Sequence, residues 1–141
     1  MEKYESYLGL SDSLSFDTAI QIYNQAAGLI NENDEDDLEL WSDFVNAAAE
    51  YAYIRAKWLL KSKEQKAATD DSRTAAHNLA IISINSLARW FDKTGRNTDW
   101  RDDLGDAFWK DPGYDPKLEL HRKKIGDFCC YVAMIYGLNA R

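Results

Sequence analysis

Arg55, Arg73, His77, Asn78, Asn85, Arg89 and His121 are the residues of this chain with chemistry to offer from positions that helical spacing turns inward. Guanidinium forks grip phosphate or carboxylate through paired N–H donors, an imidazole adds a titratable donor, and amides orient the bound group. Arg73 and His77 share a helical side with Ala80, Ile84, Leu87 and Phe91, while Asn78, Asn85 and Arg89 line a second side beside Ile82. Arg55 falls between Ala52 and Leu59 on an otherwise apolar stripe. A buried polar group is costly unless it is hydrogen-bonded, so the set is either a pocket for a small anion or a structural network. In the network, each arginine pairs with a loop carboxylate such as Asp102, Asp103 or Asp106, and the asparagines fix helix register. A pair needs one partner and a pocket needs convergence, which favours the network.

Other chemistries find less support. Two histidines and no Cys-x-x-Cys leave no zinc-finger spacing. The residues three before His77 and His121 are Thr74 and Leu118, not the glutamates of a di-iron bundle. Glu32-x-x-Glu35 and Asp36-x-x-Glu39 have a spacing that could hold magnesium, but they straddle a helix start, where acids satisfy the dipole. Asp99, Asp102, Asp103 and Asp106 lack EF-hand spacing and are interrupted by Arg101, so capping and turn chemistry is their expected role. There is no Gly-x-Ser-x-Gly elbow and no phosphate-binding glycine loop. Cys129 and His121 are eight residues apart on one helix, about 12 Å along its axis, too far to pair. The adjacent Cys129 and Cys130 cannot form an ordinary disulfide together and are expected as reduced core thiols. No catalytic residue, metal or cofactor is expected.

Four segments repeat the 3.6-residue period and none sustains strand alternation. The first, 15–31, is capped by Ser15 and stacks Phe16, Ala19, Ile20, Tyr23, Ala27 and Ile30. The second, 35–66, has Trp41, Phe44, Val45, Ala48, Tyr51, Ala52 and Leu59 inside, with acids near its start and lysines near its end. The third, 72–91, is apolar around most of its circumference, which marks a central element with several neighbours; Gly95 is its C-cap. The fourth is capped by Asp115 with Pro116 in its first turn. It turns Leu118, His121, Ile125, Phe128, Cys129, Val132, Ile135 and Tyr136 inward and Asp127 outward. The connection 95–114 carries Trp100, Leu104, Phe108 and Trp109, and a short helix over 99–109 folded across the bundle end is expected. Residues 1–12 form an arm with Tyr4, Tyr7, Leu8 and Leu10.

The expected fold is therefore all-α: a four-helix bundle of up-down order, one domain over 1–141, with an extra short helix before the last. A chain of 141 residues that is 45% hydrophobic and 13% aromatic can bury a sizeable core. Its net charge of −7 opposes binding to a phosphate backbone, so no nucleic-acid partner is expected. The longest apolar run, 128–138, spans about 16 Å as a helix against a bilayer's ~30 Å, and the N-terminus lacks a signal-peptide core, so the protein is expected in the cytoplasm. The expected function is non-catalytic binding to another protein or to itself, with Tyr4, Tyr7, Trp100, Trp109 and Tyr114 serving as anchors or covering the bundle end. The rival is a binder or hydrolase of a small anionic compound acting through Arg55, Arg73, His77 and Arg89.

Overall fold

The computed structural model describes residues 14–59, 61–104, 109–110 and 122–139. Among these residues every regular element is helical and there is no strand. In chain order the helices are α1 (Phe16–Gly28), α2 (Glu35–Leu59), α3 (Lys63–Lys93), α4 (Asp99–Asp102) and α5 (Arg122–Asn139).

Local chemistry sets the helix ends. The Ser15 hydroxyl accepts from the Thr18 amide at 3.2 Å and starts α1. The second periodic segment stops at Leu59, short of the expected residue 66, because Ser62 begins a new helix. Its hydroxyl accepts from the Gln65 amide and the Gln65 side chain accepts from the Ser62 amide, both at 3.3 Å, a reciprocal capping box. The third helix therefore starts at Lys63, well ahead of residue 72. Its far end closes on Gly95, whose φ of +77° suits the left-handed region. There the Arg96 amide reaches the Phe91 carbonyl at 2.7 Å and the Gly95 amide that of Asp92 at 3.2 Å.

α2 and α3 run antiparallel, tied at both ends. Trp58 Nε1 donates to the Lys66 carbonyl at 3.1 Å beside the connection, and Trp90 Nε1 donates to Asp37 Oδ1 at 2.7 Å at the opposite end. Asp37 is a fully buried carboxylate. It also accepts from the Asn31 amide at 2.8 Å, Arg96 Nη1 at 2.5 Å and Arg96 Nη2 at 2.9 Å. The Arg96 guanidinium, followed by burial working in the opposite sense, holds the Asp37 carboxyl far below the usual carboxylate range. One residue thus ties the start of α2, the chain after α1 and the end of α3.

α2 is the element with two extensive neighbours, α3 and α5, while α1 packs on α4 and α5. A single apolar cluster draws from all five helices, including Ile22, Phe44, Ile81, Ile84, Phe91, Trp100, Phe128 and Val132. Phe44 stacks on Phe128 with ring centroids 6.0 Å apart, and Phe91 meets Trp100 edge-on at 5.9 Å.

Several expectations need correction. Among the described residues α3 has three neighbours but is covered unevenly: it lies mainly on α2 and touches α4 and α5 lightly. The helix expected over 99–109 covers only Asp99–Asp102. Asp127 does not point outward; it is fully buried and accepts from the Leu14 amide at 3.2 Å, tying the segment before α1 to α5. The arm at 1–12 lies outside the described residues, as do Gly105, Asp106, Phe108, Pro112, Gly113, Tyr114, Asp115, Pro116, Leu118 and His121. The side chains of Leu59 and Tyr136 are likewise outside them. No helix among the described residues is long and apolar enough to cross a membrane.

Candidate functional site

The inward polar residues divide into two groups along α3, separated by about 12 Å between His77 and Asn85. Near the first, Tyr51 of α2 meets the His77 ring edge-on at 5.3 Å, and His77 Nδ1 lies 3.1 Å from Asn78 Oδ1. Arg73 pairs with Asp70 at 3.0 Å and lies 4.9 Å over the Trp58 ring. Arg55 Nη1 is buried with no hydrogen-bond partner among the described residues, in the space that a side chain on Gly126 would fill. A Cβ at residue 126 would collide with it. Burial raises the Tyr51 hydroxyl pKa, with Arg55 opposing. Burial also pushes both neighbouring thiols up, that of Cys130 to about 11, so neither is a thiolate at neutral pH.

In the second group Asn85 Oδ1 accepts from Arg101 Nε at 2.7 Å, and both residues are buried. Arg89 Nη1 donates to the Trp109 carbonyl at 3.1 Å, while Trp109 Nε1 donates to Asp102 at 2.6 Å. The six residues read from the sequence as one site therefore do not meet at one point. Arg55, Arg73, His77 and Asn78 lie around Tyr51, whereas Asn85 and Arg89 hold the segment around α4 in place.

Of the expected loop acids, Asp102 and Asp103 pair with none of Arg55, Arg73 and Arg89 among the described residues, and Asp106 lies outside them. The acid on Arg73 is Asp70 of its own helix, and Arg89 takes a carbonyl. Arg101, set aside in the sequence as an interruption among the acids, is a fully buried arginine on Asn85. Its neighbours Trp100 and Leu104, both buried, carried the available signal: a charge flanked by core residues in a short turn. Asp99, Asp102 and Asp103 line an open depression of about 660 Å³ with Gln25, Leu29, Asn97 and Trp100. Around Asp99 the contacts are of the turn-and-cap kind, such as its amide on Asn97 Oδ1 at 2.7 Å, whereas Asp102 accepts from Trp109 Nε1. Among the described residues no three His, Cys, Asp or Glu side chains are placed to hold a metal.

Trp100 and Trp109, expected as possible binding anchors, are core residues. Among the described residues four large apolar side chains are left in solvent: Phe16 on α1, Leu38 on α2, and Leu79 and Ile82 on α3, the last two 54% and 48% exposed and one helical turn apart. With Ser83 and Ser86 these two occupy positions i, i+3, i+4 and i+7 of α3, opposite the side that carries Ala80, Ile84, Leu87 and Phe91 into the core. Leu40, Asp43, Ala47 and Glu50 form the matching face of α2. Between the two antiparallel helices lies an open groove of about 630 Å³ with an apolar floor and carboxylates on its lip.

No family model matches this chain, and neither the curated proteins nor the solved structures give a match.

Proposed function

We propose that this protein acts by binding another protein through the outer face of the α2–α3 pair, without catalysis of its own. The carrying observation is the apolar surplus of α3: among the described residues it packs extensively on α2 alone, and Leu79 and Ile82 are about half exposed beside one another. Large apolar side chains grouped at helical spacing in a polar surround mark a surface that another chain covers. The same reading makes the protein one helical unit, a four-helix bundle of α1, α2, α3 and α5 in up-down order closed at one end by α4. The antiparallel α2–α3 pair and the single apolar cluster support that arrangement. Residence in the cytoplasm accords with the two reduced, buried cysteines.

The test compares proteins retained from the native host by three immobilised chains: wild type, Leu79→Asp/Ile82→Asp, and Phe16→Asp as an exposed control on α1. A protein retained by the first and third but lost from the second supports the reading. Identical retention by all three overturns it.

A second reading, a small anion held near Tyr51 by Arg55, Arg73 and His77, draws on Arg55 Nη1, which has no partner among the described residues. A thermal-shift screen with inorganic phosphate, nucleotides and dicarboxylates decides it. A stabilisation lost on Arg73→Ala and on Arg55→Ala would put this reading ahead of protein binding.

A further inference from the structure

We infer that the α2–α3 face receives a basic amphipathic helix of about three turns, carried by another protein. This rests on the proposed role of the face in protein binding and adds the chemistry of the occupant. The α2 wall runs from Leu40 to Glu50, about 15 Å at helical rise, the length of roughly ten helical residues. Two antiparallel ridges with Ala47 and two serines between them leave room for a third helix to lie along the groove. An occupying helix presents apolar residues at i, i+3 or i+4, and i+7 to Leu40, Leu79 and Ile82.

Magnitudes decide the charge. Covering the exposed halves of Leu79 and Ile82 contributes less than the freedom lost on association costs. The floor alone does not hold a partner, so the lip contributes to affinity and to encounter rate. That lip carries Asp43 and Glu50, both exposed, and among the described residues no lysine or arginine lines the groove. Lysines or arginines flanking the apolar stripe of the occupant complement it. The same carboxylates, in a chain of net charge −7, repel a second copy of this face, a phosphate backbone and an anionic bilayer.

The experiment is a selection from a displayed library of 14-residue helical peptides on the full chain, counter-selected on Leu79→Asp/Ile82→Asp. Recovered peptides are expected to combine an apolar stripe with two or more flanking Lys or Arg. Their affinity is expected to fall at least tenfold on the counter-selection variant and about tenfold on Asp43→Lys/Glu50→Lys, as two weakened charge pairs imply. Peptides that need Leu79 and Ile82 but carry acidic or uncharged flanks overturn the basic-helix inference and leave the face as a binding surface. So does an affinity unchanged by the lip reversal. A selection in which no peptide distinguishes the wild type from the counter-selection variant overturns both. Circular dichroism establishes that each variant is folded; if the aspartate pair unfolds the chain, the lip reversal, which replaces only exposed residues, decides alone.

Discussion

Replacing Asp37 by alanine removes the carboxylate on which Asn31, Trp90 and Arg96 converge. Removing one partner of a buried ion pair costs about 3–5 kcal/mol, because the other charge stays behind. Arg96 is 21% exposed and keeps the Leu29 carbonyl at 2.9 Å, which places this case at the lower end, about 3 kcal/mol. For a chain of 141 residues unfolding with ~2.1 cal/mol/K per residue, that corresponds to about 10 °C in Tm. Urea unfolding followed by tryptophan fluorescence reads the loss, with Trp90 inside the perturbed site. The double variant Asp37→Leu/Arg96→Met leaves no orphaned charge but still strips the Asn31 amide and Trp90 Nε1 of their acceptor, so it should be less destabilised than the sum of its single variants without returning to wild type. The pH dependence has a fixed sign. The native carboxyl titrates below the usual 3.8, so its stabilisation is complete above about pH 4 and is lost as pH falls toward the native value. An Asp37→Ala cost under 1 kcal/mol, or losses from Asp37 and Arg96 that simply add, would refute the staple.

Other outcomes follow from single contacts. Asn85→Ala leaves the buried Arg101 Nε without its acceptor and should cost about 2 kcal/mol in urea unfolding. Gly126→Ala gains about 1 kcal/mol of helix propensity in an Arg55→Ala background but less beside Arg55, whose guanidinium must swing away, so a double-mutant cycle should show coupling. Cys129 and Cys130, buried and with thiol pKa values raised, should resist alkylation at pH 7.5 until urea unfolds the chain. Ile82→Asp, half-exposed on the open face, should cost about 1 kcal/mol of stability while weakening partner retention.

The helices were legible because their apolar periodicity is strong: Phe44, Ala48, Tyr51 and Ala52 on α2 and Ala80, Ile84, Leu87 and Phe91 on α3 are buried as the spacing requires. The boundary between those helices was not. Lys57 and Lys61 before Ser62 and Lys63, Glu64, Gln65 and Lys66 after it sustain helical character, and only the reciprocal Ser62–Gln65 bonds reveal the restart. Among the candidate polar residues, type and spacing indicated desolvation for His77 and Asn85 but not their partners, since pairing is set by tertiary approach. Asn85 meets Arg101 and Arg89 meets a carbonyl, neither of which has a signature in the chain. Asp37 and Asp127 were missed because a carboxylate near a helix start looks like a dipole partner, and one on a helix looks solvated. The open face was present in the sequence as an apolar excess on α3, which was assigned to internal neighbours. Ile82 and Leu79 could not be distinguished from core residues until α3 was seen to lie chiefly on α2.

Chemical-shift mapping of the ¹⁵N-labelled chain, titrated with the protein retained through the Leu79–Ile82 face, tests the central claim most directly. Perturbations concentrated at 40–50 and 79–86 are the predicted result. Perturbations centred on Tyr51, Arg55, Arg73 and His77, with the outer groove unmoved, would contradict it.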